Sequence, residues 1–325
     1  MAAFFIFSSR TTARFVVVQI MPSLWMLFAS FAFAAMGAAV KLASATFSTS
    51  ELLMYRGVVG SAILFASLRA HGGTLKTAFP RAHLWRSAVG VTSLWLWFYA
   101  IGALPLATAV TLNYTAPIWI AVWMFGLSWW RGDKHAEWPL VVAVAMSFVG
   151  VTLVLRPAVE MNAWLGALAG VVSSVISAMA YMQVRRLGQM GEPEYRVVFY
   201  FSLTTAVAGF FGSLATPDAA GVRFHPITLH TLGLVLAIGV PALLAQMAMT
   251  RAYRVGKVLV VANLQYTGIV FSSLWSVLLW GDRFDWHVWL GIGVILASGI
   301  AATFYNTRST PRGAAIRTDP IASET

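Results

Sequence analysis

Two basic side chains fall inside apolar stretches of this chain: Lys41 near the end of one, and Arg56 more than a turn into the next. A charge at hydrocarbon depth costs about 2.5–3.5 kcal/mol on insertion scales, so intramembrane charges mark ion or substrate pathways by default. A guanidinium there can fork onto a carboxylate, whereas an ammonium near an interface can snorkel back to water. Both readings stand for Lys41. Arg56 stands between a gate or carboxylate anchor and a structural partner for Glu51 or for helix-end carbonyls.

Uncharged groups offer a second kind of chemistry. In Leu112-Asn-Tyr-Thr-Ala-Pro-Ile, Pro117 has no amide hydrogen, so within a continuous helix it leaves the carbonyl of Asn113 without its usual partner beside the Asn113 amide and Tyr114. Lipid cannot satisfy such groups, which must face protein or a wet cavity. A related cluster, Asn263, Gln265 and Tyr266, comes later, and Pro241 frees Ala237 on a helix that also carries Gln246. Each amide alone serves equally well as interhelical glue; two related clusters point to a cavity. Trp95 and Tyr99, four apart on one helix face, can form an aromatic wall for an apolar or cationic substrate, extended by Trp25 and Tyr181. The competing reading for all four aromatics is packing. Gly166 and Gly170 read as close helix contact.

Catalysis finds no such foothold. There is no Cys, the six His lie in loops or at helix ends, and no HExxH, G-x-S-x-G or P-loop pattern occurs. The eleven carboxylates likewise fall in loops, helix ends or the tail, which disfavours a buried acidic proton relay. The expectation is therefore no enzyme, no metal and no cofactor, with a small-molecule substrate as the partner. A net charge of +11 without a basic-aromatic module argues for loops facing anionic lipid rather than nucleic acid. No obligate protein partner is implied.

The elements that position these residues follow from composition. Hydrophobic residues make up 59% of the chain and charged residues 10%, against about 25% charged in a soluble domain. A bilayer core about 30 Å thick takes ~20 apolar residues per helix, and hydropathy predicts helices over 20–43, 50–69, 84–103, 106–129, 138–155, 163–184, 196–216, 228–250, 257–280 and 287–305. Residues 1–19 read as a cytoplasmic leader and 306–325 as a disordered cytoplasmic tail. With the N-terminus inside, 17 of the 22 Lys and Arg, Arg86 among them, fall on the cytoplasmic side and 4 outside. This puts both termini in the cytoplasm.

The sequence also echoes itself. Leu112-Asn-Tyr-Thr-Ala-Pro-Ile matches Leu264-Gln-Tyr-Thr-Gly-Ile-Val five helices on, and each helix is followed by Gly-Asp, Gly132-Asp133 and Gly281-Asp282. An odd spacing inverts the second copy, which predicts two inverted five-helix repeats, 20–155 and 156–305, around a central cavity. With Ala-Ala-Met36-Gly-Ala-Ala-Val-Lys41, Ser50-Glu51 with Arg56, and Trp130-Arg-Gly-Asp133, this all-α membrane protein resembles the EamA-type branch of the drug/metabolite transporter superfamily. The resemblance implies ten transmembrane helices, alternating access and export of metabolites from the bacterial inner membrane. The abundant aromatics make it most similar to amino-acid exporters, including those for aromatic substrates. Export of drugs or lipophilic cations is the alternative, and a passive channel the remoter one.

Overall fold

Serine, glycine and proline mark where the apolar runs become helices. The computed structural model describes residues 24–130, 163–216, 221–256 and 258–308, with a few helical positions between 142 and 153. Expectations for the leader, the helix over 138–155, Asp133 and the tail beyond 308 lie outside the described residues. Among the described residues there are helices and no strand. They are α1 Leu24–Ala43, α2 Thr49–His71, α3 Pro80–Ala103, α4 Leu106–Asn113, α5 Ala116–Trp130, α6 Trp164–Gln189, α7 Glu194–Ala215, α8 Leu229–Val255, α9 Val258–Leu264, α10 Thr267–Trp280 and α11 Trp286–Arg308. Among the described residues, and counting α4 with the start of α5, six spans are long and apolar enough to cross a membrane.

The helix ends use local chemistry. Ser48 accepts from the Glu51 amide, and the Glu51 carboxylate accepts from the Ser48 amide, a capping box that starts α2. Gly72, at φ 69°, ends it in the left-handed region. Thr228 and Thr231 form the same reciprocal pair at the start of α8. Pro80 opens α3, where a missing amide hydrogen is harmless. That start precedes the expected one at 84, so Arg86, expected in the first turn of this helix, sits in the second turn of α3 and is 2% exposed.

The expected helices over 106–129 and 257–280 are not continuous. The first breaks over Tyr114-Thr115 and the second over Gln265-Tyr266, with Thr267 opening the next helix. The Thr115 hydroxyl donates to the Leu112 carbonyl at 2.9 Å, and the Thr267 hydroxyl donates to the Leu264 carbonyl at 2.7 Å. Pro117 therefore falls in the first turn of α5, and the expectation that it frees a carbonyl inside an unbroken helix is corrected. Pro241, by contrast, lies within the continuous α8. The two breaks meet: a side chain added at Gly268 would run into the Tyr114 ring.

Small residues set the closest packing. A Cβ at Gly57 would meet the backbone of Ser202 and Ala206, and one at Gly209 the backbone of Ser50 and Met54, so α2 and α7 touch main chain to main chain at two levels. Gly166 and Gly170 bring α6 against Leu104 and Leu112. Phe98, Met36, Leu112 and Tyr253 are fully buried, while Phe65, Val207, Phe211, Leu244 and Leu274 are exposed. An exterior of this kind is solvated by lipid. Gly57→Val is expected to lower the thermal unfolding midpoint of the purified protein, at a cost of about 1–3 kcal/mol or more from overpacking. Gly233→Ala, at a position with open space, should leave the midpoint unchanged in the same scan.

Candidate functional site

Arg56 and Arg86 enter from opposite ends of the helices. Arg56 is in the second turn of α2 and Arg86 in the second turn of α3, which runs antiparallel to it. Both reach the same aromatic ring: the Arg86 guanidinium carbon lies 4.3 Å from the Phe201 centroid, and that of Arg56 lies 5.2 Å from it. Both arginines are buried, at 3% and 2% exposure. They line a narrow cavity of about 50 Å³, room for one or two water molecules. Gly90 makes the site possible, since any Cβ there would collide with the Arg86 guanidinium and press on Phe201.

Polar groups complete the lining. Gln246 on α8 accepts from Arg56 Nη2 at 3.5 Å. Asn113, the last residue of α4, donates from Nδ2 to Ser173 Oγ at 2.7 Å and to Ser177 Oγ at 3.4 Å. Ser93 on α3 donates to the Ser173 carbonyl at 2.9 Å and pairs with Ser177 Oγ. One residue over, Ser174 Oγ accepts from Trp119 Nε1 at 2.9 Å and lies 2.7 Å from Thr115 Oγ1, sharing that hydroxyl's single proton with the Leu112 carbonyl. The break after α4 is thus docked onto a serine face of α6, which satisfies its polar groups without water. Trp97, Phe33 and Tyr181 supply apolar wall.

The structure brings Arg56, Asn113, Tyr181 and Gln246 together at this cavity. Tyr181 stacks on Tyr253 with centroids 5.5 Å apart, and the Tyr253 hydroxyl donates to Gln265 at 3.5 Å. Tyr114, Gln265 and Tyr266 are buried at the helix breaks, and the side chain of Asn263 lies outside the described residues. Other candidates fall elsewhere. Trp95 packs against Gly212 of α7, and Tyr99 is on the exposed face of α3; the aromatic facing the cavity from α3 is Trp97, so the expected wall is corrected. Trp25 lies under the Arg251 guanidinium at the start of α1. Lys41 donates to the Gly102 and Leu104 carbonyls at 3.0 and 2.8 Å, tying the end of α1 to the end of α3. Arg86, Phe201, Trp97 and the Ser173-Ser174-x-x-Ser177 face were not singled out from sequence. The readable signals were Phe79-Pro80, which starts α3 early, and three hydroxyls on one apolar helix.

Two ionic clusters flank the cavity along the helices. Towards the start of α2, the fully buried Glu51 accepts from the His225 amide at 2.7 Å and pairs with its ring at 2.9 Å. Towards the start of α3, Glu192 accepts from Thr77 Oγ1 at 2.6 Å and from Arg196 at 2.9 Å, and lies 3.4 Å from His83. Burial pushes the Glu192 carboxyl up, but the Thr77 hydroxyl, the Arg196 guanidinium and His83 outweigh it and hold it below the usual carboxylate range.

Comparison with known proteins decides the family. The pattern of the EamA-like transporter family matches residues 20–156 and again residues 164–304. The chain belongs to the EamA-like transporter family. It is an integral membrane protein, and a transporter by family. It is 33% identical over 254 residues to the pseudopaline exporter of Pseudomonas aeruginosa, covering 78% of this chain and 86% of that protein. It is 27% identical over 300 residues to a riboflavin transporter of Vibrio cholerae, covering 89% and 95%. A protein of known crystal structure shares the fold, with a TM-score of 0.68 at 20% identity over 90% of this chain and 99% of that one.

In this EamA-like transporter the Glu192 cluster ties the start of α3 to the start of α7. A carboxyl held low in the folded state contributes stability above its unfolded pKa and loses it as pH falls through the folded one. Glu192→Gln is therefore expected to lower the unfolding midpoint at pH 7, reflecting charge-assisted bonds worth about 1.5–3 kcal/mol. The gap to the parent protein should close only below the ordinary carboxylate value of 4.5, which a thermal scan across pH measures directly.

Proposed function

We propose that this chain exports small carboxylate-bearing metabolites, amino acids including aromatic ones among them, by alternating access through the Arg56–Arg86 cavity. The observation that carries the reading is a buried polar cavity set between guanidinium, amide and hydroxyl donors and the aromatic faces of Phe33, Trp97 and Phe201. Carboxylates meet the first set and apolar side chains the second. A lipophilic cation would meet two guanidiniums and, among the described residues, no lining carboxylate, so that alternative is the weaker one. Relatives named for pseudopaline export and riboflavin transport support a carrier of small metabolites.

In this reading the chain crosses a bacterial inner membrane ten times as two inverted five-helix repeats, 20–155 and 156–305, with both termini in the cytoplasm. The two separate family matches, the paired helix breaks at Tyr114 and Tyr266 and the uneven distribution of Lys and Arg support it. Arg56, Asn113, Tyr181 and Gln246 hold substrate, and Tyr114, Gln265 and Tyr266 form the crossing of the broken helices. Lys41 serves at the outer end, where it fixes α1 to α3.

Purified protein in liposomes preloaded with labelled phenylalanine, threonine or a lipophilic cation tests the reading. Saturable amino-acid efflux, accelerated by substrate on the opposite side, is the expected outcome. Efflux of the cation alone would replace the substrate class, and unsaturable flux would make the protein a channel. Asn113→Ala is expected to slow amino-acid efflux about tenfold, the equivalent of one hydrogen bond at 1.4 kcal/mol; unchanged efflux at equal protein level would remove Asn113 from the site.

A further inference from the structure

Arg56 and Arg86 form a pair of buried cations for which the described residues supply no counter-ion. Arg56 Nε, Arg86 Nε, Arg86 Nη1 and Gln246 Nε2 are buried without a hydrogen-bond partner. The carboxylates on the flanking turns are engaged elsewhere, Glu51 with Ser48 and His225, and Glu192 with Thr77, Arg196 and His83. The two guanidiniums share the Phe201 ring, so they lie no further apart than their two distances to it combined. Arginine cannot shed its proton to escape the cost. Contact with a ring offsets only part of the desolvation of one such charge, and mutual repulsion adds to the rest.

A ligand bearing one carboxylate and one ammonium settles one arginine and sets its own cation near the other. A ligand bearing two carboxylates settles both. We propose that the preferred substrate is a net-anionic metabolite with two separate carboxylates, one taken by Arg56 with Gln246 and the other by Arg86. This rests on the transport reading above and sharpens its substrate class; simple zwitterionic amino acids are the slower substrates. Two guanidiniums reaching the same Phe201 ring from two helices can each take one anionic group, and inorganic phosphate tests the alternative that both close on a single one.

N-acetylglutamate and N-acetylglutamine test this, being nearly the same shape and differing by one carboxylate. Binding is read as thermal stabilisation of the protein in nanodiscs, and transport as competition against efflux from liposomes, with inorganic phosphate as a third probe. N-acetylglutamate is expected to act at least ten times more strongly than N-acetylglutamine. Arg86→Gln and Arg56→Gln should each abolish the difference, and Arg86→Lys should keep part of it. Each Gln variant should also melt no lower than the parent without ligand, because it removes an unpaired charge; a purely structural arginine would give a lower midpoint. Equal action of the two acetyl amino acids, a preference that survives Arg86→Gln, or stabilisation by phosphate alone would overturn the proposal. Stabilisation by N-acetylglutamate without any flux would leave the site standing and sink the transport reading. Flux of neutral amino acids without a charge preference would do the reverse.

Discussion

A hydrocarbon surround offers no hydrogen bonds, and the arrangement of this protein follows from that single constraint. Backbone polarity disappears into helices, and the polar side chains that remain must be satisfied by one another. The serine face of α6 is the clearest product: Ser173, Ser174 and Ser177 gather the amide of Asn113, the hydroxyls of Ser93 and Thr115 and the indole of Trp119. Without that face the break between α4 and α5 would leave polar groups in an apolar medium. With it, a non-helical turn becomes a fixed part of the interior.

The same constraint makes the arginines costly. Many interior hydroxyls and the Asn113 amide reach protein partners, and Lys41 reaches the carbonyls that end α3, while a few neutral groups, such as the hydroxyls of Thr250, Ser273 and Ser276, have none among the described residues. Arg56 and Arg86 differ from these in carrying charge, and among the described residues nothing accepts from Arg56 Nε, Arg86 Nε or Arg86 Nη1. An open donor on a cation costs more in an apolar interior than one on a hydroxyl.

The helices were legible because apolar runs of this length have few other fates, and the absence of catalytic constellations was equally plain. What escaped did so for definite reasons. Arg86 was counted only as a cytoplasmic-side charge with Lys76 and Arg81, at the start of the helix expected over 84–103, and a count of charges says nothing about which way a side chain turns; the Pro80 start carries it a turn deeper. Trp95 and Tyr99 share a face as their spacing requires, yet spacing cannot say which face looks inward, and Trp97, two residues on, took the role. Continuous helices were drawn through Thr115 and Thr267 because hydropathy is blind to a hydroxyl turning back onto its own carbonyl.

Gly57 and Gly209 carry one more consequence. They let α2 and α7 meet main chain to main chain at two levels, with no side chains between to act as a sliding layer. Any larger residue at either position would have to part the two backbones, so the seam depends on glycine at both levels. One of the two helices comes from the first half of the chain and the other from the second. The seam therefore stitches the first half of the chain to the second instead of holding each half to itself.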